Sequence, residues 1–389
     1  MACTLRRGEQ RQMVPAGHNG RQEEFDAKLA RIRAYLRDHA LGGVALSSQA
    51  LFAWATAGGD NHVVLASEYG VAHLLVTADK VAVLSSNIEA GRASAEEFDG
   101  LDTSKIEFWS CPWHADGGVE AEIQRRMGGQ RWASDLGIGP ARLAEDFRKL
   151  TYSLAETEIV RYRKLGRDCS LAMEEALGAV RPGYTEHRVA GLICQRLQDH
   201  GVRPHVVLVA ADERARRFRH PIPTGKRLRQ HLMAVLCGKR GGLIVALTRL
   251  LHFSRTLAAE LRRKHDAVCA VDVALNAATR RGVPIGNVFA AGVAEYERQG
   301  FGEEWKLHHQ GGPTGYQGRS FLGRPAEERL VMDNQAFAWN PSISGTKSED
   351  TIVVRSGGIE FLSAPTRAWP AVSVKTGAGT FRRADIRLG

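Results

Sequence analysis

The first third of the chain changes from a helical to an alternating pattern of apolar residues. Apolar side chains recur every three or four residues from Glu23 to Leu36, which predicts an amphipathic helix. Short apolar or alternating runs, separated by Ser, Gly and Asp-Lys turns, then predict strands. These runs lie at 43–46, 73–77, 81–84 and 133–140. We expect an N-terminal α/β domain over residues 23–152, preceded by a flexible arm at residues 1–22.

A second architecture begins near residue 153. Ser153 and Thr185 each precede an acidic turn, which predicts two N-caps and two long helices. Strands are predicted at 205–209, 232–237 and 243–247, helices at 257–279 and 284–298, and strand-and-loop segments at 305–321, 335–340 and 351–355. The last two of the three strands form a hairpin around the turn Gly238–Gly242. This order of elements predicts an α+β domain over residues 153–389.

The composition is that of a globular protein without membrane spans. Of 389 residues, 43% are hydrophobic and 25% charged, and no apolar stretch approaches the roughly 18 residues that a membrane span needs. The six cysteines lie far apart without a CxxC pair, which favours reduced thiols over disulfides or a structural zinc site. The N-terminal arm contains arginines but no apolar segment, unlike a secretory signal. We therefore expect a cytoplasmic protein.

The net charge of +10 raises the question of nucleic-acid binding. Basic residues are mixed with acidic ones along most of the chain, and the one dense basic run, 214–229, surrounds a Pro-Ile-Pro turn. No helix-turn-helix, zinc-finger or RNP pattern accompanies it. An anionic substrate or a solvated surface explains the charge better, so nucleic acid is not an expected partner.

Three polar segments shaped by Gly or Pro carry the candidate chemistry. They are residues 219–224, 308–316 and 340–350. Glycines after His309 allow a ligand to approach the backbone closely, and flanking polar groups can hold the imidazole in one tautomer. Acid–base catalysis and metal binding both require such a fixed ring. A turn whose histidine is simply hydrogen-bonded explains the pattern equally well.

Five short motifs follow one another along most of the chain. They are Ala155-Glu156, Arg219-His220-Pro221, Ala246-Leu-Thr-Arg249, His308-His309-Gln-Gly-Gly312 and Lys347-Ser-Glu349-Asp-Thr-Ile-Val-Val354. In this order they resemble the family of aminopeptidase P, prolidase and creatinase, metallopeptidase family 24. The resemblance extends from about residue 25 to residue 374. It implies a C-terminal pita-bread domain and a creatinase-like N-terminal domain that reaches over the partner's site in a homodimer.

The same resemblance implies a metal site whose ligands are largely missing. Metallopeptidases of this family hold two divalent ions with two Asp, one His and two Glu. The matching positions are Val235, Ala246, His309, Asn340 and Glu349, so only one His and one Glu remain. Two dications need several carboxylates, and we therefore expect no metal cofactor. The alternative is a single Mn, Zn or Fe ion held by Cys237 together with His309, Asn340 and Glu349.

Creatinase, a family member that works without metal, provides a model for the site. Its acid–base histidine matches His220, whose pKa the flanking Arg217 and Arg219 could lower. By this resemblance Glu349 orients the substrate or a water, and His309 donates to developing negative charge. The expected substrate contacts are Arg249 and Lys347, which would bind a carboxylate, and His308, Thr248, Asn340, Tyr316, Trp54 and His62. Creatine itself is not expected, because Thr248 replaces a creatinase glutamate.

Three functions remain open from the sequence. The first is metal-independent hydrolysis of a C–N bond in a small amide, amidine or amino-acid-derived substrate. The second is an Xaa-Pro aminopeptidase activity with an altered metal site, acting on short peptides. The third is a pseudoenzyme that binds a peptide or a protein partner. Several polar side chains are kept together around the expected pocket, and burying them is costly, so we favour an enzyme.

Overall fold

The computed structural model describes residues 18–137, 139 and 141–389. The described helices are α1 (His18–Asp38), α2 (Gln49–Ala55), α3 (Ala90–Arg92), α4 (Gly118–Met127), α5 (Glu145–Lys149), α6 (Glu156–Gly178), α7 (Glu186–Asp199), α8 (Glu213–Arg217), α9 (Ala259–Ala278) and α10 (Ile285–Arg298). None of them is long and apolar enough to cross a membrane. Residues 1–17 of the predicted arm lie outside the described residues.

Eighteen strands are described, and the last nine of them follow α10. They are β1 (Gly43–Ser48), β2 (Tyr69–Thr77), β3 (Val81–Ser86), β4 (Glu107–Cys111), β5 (Trp132–Ser134), β6 (Ala141–Arg142), β7 (Arg203–Ala211), β8 (His231–Arg240), β9 (Leu243–His252), β10 (Gly311–Thr314), β11 (Ala336–Trp339), β12 (Ser342–Ile343), β13 (Thr346–Lys347), β14 (Asp350–Arg355), β15 (Gly358–Phe361), β16 (Ala371–Thr376), β17 (Gly379–Ala384) and β18 (Arg387–Leu388).

The N-terminal half contains a mixed sheet with the strand order β4-β3-β2-β1-β5-β6. β1 pairs antiparallel with β2 and parallel with β5, as a sheet with crossing helices requires. The first helix begins at His18, five residues before the predicted start and inside the predicted arm. Arg21 explains the extension, because its guanidinium donates to the carbonyls of Thr56 and Glu97.

Two four-stranded sheets organise the C-terminal half, with orders β18-β9-β8-β7 and β10-β11-β14-β15. The predicted hairpin is confirmed as the antiparallel pair β8–β9, whose side chains are nearly all buried. Its turn is tighter than predicted, because β8 continues to Arg240 and only Gly241 and Gly242 turn, with φ of +53° and +79°. Glycine adopts this left-handed conformation without steric strain.

The two predicted N-caps have different outcomes. Thr185 caps α7, since its side chain accepts from the amide of Arg188. Ser153 does not cap α6, which begins after Ala155, and its hydroxyl donates to the Asp333 carbonyl instead. The Glu158 carboxylate accepts from the Ala155 amide at 2.7 Å, so this acid closes the first turn in place of a serine.

The two halves share a continuous hydrophobic core. One cluster of buried side chains includes Phe52 of the N-terminal half together with Leu165 and Leu247 of the C-terminal half. The domain boundary at residues 152–153 stays a prediction, because packing continues across it. The described cysteines are free thiols, as expected: Cys111, Cys169, Cys194, Cys237 and Cys269.

Candidate active site

The hairpin β8–β9 forms one wall of the candidate site. Val235 lies opposite Thr248, and Cys237 lies opposite Ala246. Glu349, which directly precedes β14, is fixed to this wall by two contacts. The Thr248 amide donates to the Glu349 carbonyl at 3.1 Å, and the Thr248 hydroxyl donates to Glu349 Oε2 at 2.8 Å. The sheet pairing therefore determines where this carboxylate points.

Two cations bind the same carboxylate. Lys347 Nζ lies 2.9 Å from Glu349 Oε2, and Arg319 Nη2 lies 3.1 Å from Oε1. Lys347 and Glu349 are each only 3% exposed. Burial alone would raise the pKa of Glu349, but Lys347 and Arg319 outweigh it and lower that pKa, so the carboxylate stays ionised. With two cations and one anion, this group has an excess positive charge.

Three imidazoles lie beside this ion group. His220 Nε2 and His308 Nε2 are 3.1 Å apart, and one nitrogen from each of these rings and of His309 lies within 4.8 Å of the others. The Gly311 amide donates to His309 Nδ1 at 3.3 Å, which makes that nitrogen an acceptor and leaves its proton on Nε2. Ser342 Oγ lies 3.4 Å from His308 Nδ1.

Glycine is required where the His309 segment meets the neighbouring strand. Gly311 has φ of +93°, and a Cβ atom there would lie 2.1 Å from the Ala338 carbonyl oxygen. Gly312 is equally confined, since its Cβ would meet the Phe321 carbonyl oxygen at 2.7 Å. The close approach at Gly311 is to β11 and that at Gly312 is to the Phe321–Gly323 segment, and together they fix the backbone that carries the His309 imidazole.

Burial and nearby cations keep the three imidazoles neutral. Burial lowers the pKa of His309 to about 4 and that of His308 still further. Burial also lowers the pKa of His220. The charges of Lys347 and Arg319 lower this pKa further, whereas the charge of Glu349 raises it. The predicted source of this effect was wrong, because Arg219 forms an ion pair with Glu304 and the cations that act are Lys347 and Arg319.

Four predicted substrate contacts lie away from the imidazoles. Arg249 is fully buried and bound to Glu174 and Asp350, so the prediction that it binds a carboxylate is wrong. Trp54 is fully buried in the core and cannot reach a substrate. Tyr316 also lies elsewhere and is buried, with its hydroxyl 2.6 Å from Glu158.

His62 is the fourth of these residues, and it remains partly exposed. Its Nδ1 lies 2.6 Å from Asp60 Oδ1, in the N-terminal half of the chain. A contact from His62 to a partner's substrate stays a prediction.

Sequence reasoning missed Arg319, although it lies close to the Gly-rich segment. Its position after Gly-Tyr-Gln-Gly gave no signal of its own, because a lone arginine in a polar loop is usually solvated. Asn340, which was expected at the site, is buried, and its Oδ1 has no hydrogen-bond partner among the described residues. This unsatisfied acceptor is available to a ligand that donates a hydrogen bond.

The family model of metallopeptidase family M24 matches residues 160–356, just over half of the chain. The chain belongs to metallopeptidase family M24. The fold of this M24 protein is similar to that of an Xaa-Pro dipeptidase from Bacillus anthracis, with a TM-score of 0.73 and 16% identity over 94% of this chain and 99% of the other. The resemblance stated from the motifs is thereby confirmed, as is the two-domain α+β fold.

Two further solved structures show the same fold. The prolidase from Pyrococcus horikoshii OT3 has a TM-score of 0.74 and 15% identity over 88% of this chain and 99% of the other. The N-terminal domain of the FACT complex subunit SPT16 from chickpea, Cicer arietinum, has a TM-score of 0.66 and 12% identity over 90% of this chain and 96% of the other. No curated protein matches the chain significantly.

The side chains of this M24 protein do not fit two divalent metal ions. Val235 and Ala246 are buried and apolar where the resemblance implies aspartates, and both oxygens of Glu349 already bind cations. Burial raises the pKa of the Cys237 thiol to about 11, which disfavours the thiolate that a metal would need. Among the described residues, the group of three or more side chains that could share one ion is His220, His308 and His309.

Proposed function

We propose that this M24 protein is a hydrolase that cleaves a C–N bond in a small amide, amidine or amino-acid-derived substrate without a metal ion. The observation that carries the proposal is the pairing of Lys347 and Arg319 with Glu349. Positive charge that a metallopeptidase obtains from its ions is supplied here by two side chains. Added dications would meet this excess positive charge at close range.

In this mechanism His220 transfers protons. Its neutral imidazole accepts a proton from a water molecule, whose oxygen attacks the carbonyl or amidine carbon. The imidazolium then donates that proton to the leaving nitrogen as the C–N bond breaks. His308 Nε2, 3.1 Å from His220 Nε2, can accept a hydrogen bond from the imidazolium between these two steps. The overall reaction consumes one water and releases an acid, or its amide equivalent, and an amine.

The surrounding groups stabilise the negative charge that develops during attack. His309 carries its proton on Nε2 and can donate it toward the tetrahedral oxygen. Lys347 and Arg319 provide the positive field, and Glu349 orients them. The same excess charge favours a substrate with a carboxylate, a role in which Arg319 replaces the predicted Arg249. Lys347 keeps its predicted role.

Substitution of His220 tests the acid–base assignment. His220→Ala should lower kcat/KM by about 10²–10⁴-fold, because positioned proton transfer contributes a factor of that order. A panel of small amides, amidines and Xaa-Pro dipeptides, followed by release of amine, supplies the substrate for the measurement. His200→Ala is the control, since His200 lies at the end of α7 near Glu175. Near-wild-type activity of His220→Ala would refute the assignment.

A second candidate function rests on the imidazole cluster. Three neutral imidazoles whose nitrogens lie within 4.8 Å could hold one Mn, Zn or Fe ion, which would supply an activated water for an Xaa-Pro peptidase reaction. This candidate predicts stoichiometric metal and inhibition by chelators, whereas the first predicts neither. A binding role without catalysis remains the outcome if no substrate in the panel is cleaved. The cytoplasmic location and the homodimer stay predictions.

A further inference from the structure

Two cations lie directly opposite each other on neighbouring strands. Arg203 of β7 pairs with Lys239 of β8 in the antiparallel register. Lys239 is 8% exposed and the Arg203 side chain is 12% exposed. Like charges in directly opposed positions repel, and burial reduces the screening that water would provide. This arrangement is unfavourable unless something compensates it.

The described side chains compensate the two charges only in part. Arg203 Nη2 and Lys239 Nζ both donate to one neutral acceptor, Gln49 Oε1, at 3.1 Å each. The nearest carboxylate is that of Asp60, whose Oδ2 lies 3.5 Å from Arg203 Nη1 and whose Oδ1 is bound by His62. Arg203 Nη1 is buried without a hydrogen-bond partner among the described residues. Two cations therefore share one carboxylate.

The pKa of Lys239 reflects the same excess of positive over negative charge. Burial and the neighbouring Arg203 lower the pKa of Lys239 to about 8, and Asp60 opposes them only partly. The next residue of β8, Arg240, is also a cation, but it has a carboxylate of its own, since Arg240 Nη1 lies 2.7 Å from Asp168 Oδ2. The excess positive charge is therefore specific to the face of β8 that carries Lys239.

That face also carries the candidate active site. Side chains alternate along a strand, so Val235, Cys237 and Lys239 point to one side of β8. Two residues of a strand span about 7 Å, which places Lys239 roughly that far beyond Cys237. The charges of Glu349, Arg319 and Lys347 all act on Cys237. The Arg203–Lys239 pair thus lies at the far end of the wall that holds the ion group.

We propose that Arg203 and Lys239 form an oxyanion subsite that binds a carboxylate or phosphate group of the substrate, remote from the bond that is cleaved. An oxyanion accepts several hydrogen bonds at once, so it can accept one from Arg203 Nη1, which has no hydrogen-bond partner among the described residues, and neutralise the excess charge. Gln49 and Asp60, which contact Arg203, come from the N-terminal half, so the subsite lies where the two halves meet. That the anion is part of a substrate rests on the proposed function; that it binds here does not.

Anion-dependent melting tests the subsite without any assay of activity. The melting temperature is measured in sodium phosphate and in sodium acetate against sodium chloride at equal ionic strength. The wild-type protein should melt about 2–4 °C higher in at least one of the two oxyanions. The salt that raises the melting temperature more shows whether phosphate or carboxylate is the preferred group. Equal melting in all three salts would overturn the proposal.

Matched variants assign the effect to this pair. Lys239→Met should abolish the oxyanion shift and should melt in chloride at least as high as the wild type, because it removes the repulsion. Arg240→Met, its neighbour on the opposite face of β8, should keep the shift while melting lower, because it leaves Asp168 unpaired. An oxyanion shift that persists in Lys239→Met would refute the subsite. Calorimetric titration of the wild type with phosphate or acetate, whichever shifts its melting, supplies a second measurement and should detect binding.

Because these measurements follow binding alone, failure of the subsite is distinguishable from failure of the proposed hydrolysis. Oxyanion binding without turnover of any substrate leaves the subsite standing and refutes only the hydrolase. Turnover without oxyanion stabilisation refutes only the subsite.

Discussion

At the scale of single residues, Lys347 has the greatest influence on the proposed chemistry. The residue is only 3% exposed, and its ammonium group binds the Glu349 carboxylate. It also acts on His220, whose pKa is lowered first by burial and then by this cation. This buried lysine acts with Arg319 to keep Glu349 ionised and with burial to keep His220 neutral, the two protonation states that the mechanism requires.

Lys347→Met should change both the rate and the pH dependence. Loss of a charged hydrogen bond of about 1.5–3 kcal/mol should lower kcat/KM by about 10- to 100-fold. His220 acts as a base only when neutral, that is above its pKa. Since Lys347 lowers that pKa, its removal raises it, and the acidic limb of the kcat/KM profile should move to higher pH. Activity profiles of the variant and the wild type check this.

The matched control for that variant is Lys306→Met. Lys306 is a half-exposed residue paired with Glu303, so its removal should leave the profile unchanged. An unchanged acidic limb in Lys347→Met, or a limb moved to lower pH, would contradict the role given to Lys347. A purely structural lysine would change stability but not the pH dependence.

At the scale of elements, the junction of β10 and β11 positions His309. Gly311→Ala should destabilise the protein by about 2–4 kcal/mol, because it combines a left-handed φ of +93° with a Cβ contact of 2.1 Å to backbone. Gly315→Ala is the control, since its φ of +153° is also restricted but nothing lies within 4 Å of its Cβ. Thermal melting should show the larger loss for Gly311→Ala, and equal losses would contradict the packing described here.

Elements with a strong local signal were predictable from the sequence. The hairpin β8–β9 was found because its two apolar runs flank a glycine-rich turn, and the cap of α7 because Thr185 precedes an acidic turn. The start of α1 could not be predicted in this way, because it depends on contacts from Arg21 to the distant carbonyls of Thr56 and Glu97. Contacts between residues far apart in the chain leave no periodic pattern.

The difference between local motifs and distant contacts also explains which residues of the candidate site could be predicted from the sequence. Glu349 and the three histidines were found because motifs place them in order along the chain. Arg249 was misplaced because a sequence does not show which face of β9 lies toward the site, and in the structure this residue pairs with Glu174 and Asp350 instead. Arg319 was missed because its partner, Glu349, lies 30 residues away.

At the scale of the whole molecule, two of the buried charge groups that join distant parts of the chain differ in their balance of charge. At the junction of the halves, Lys28 lies 2.6 Å from Glu24 and 2.9 Å from Glu158, and Arg161 also binds Glu24. This group has equal numbers of cations and anions, as a structural network requires. The group at Glu349 has two cations for one anion, as the proposed binding of an anionic substrate requires.

The central claim is that protein cations have replaced metal ions at this M24 site. Metal content of the purified, untagged protein tests it most directly, by plasma mass spectrometry before and after incubation with excess Mn, Zn and Fe followed by dialysis. We predict far less than one ion per chain in every sample, because the site already has an excess positive charge and lacks the carboxylates that two dications need. One or two ions per chain that survive dialysis would contradict the claim and favour the metallopeptidase.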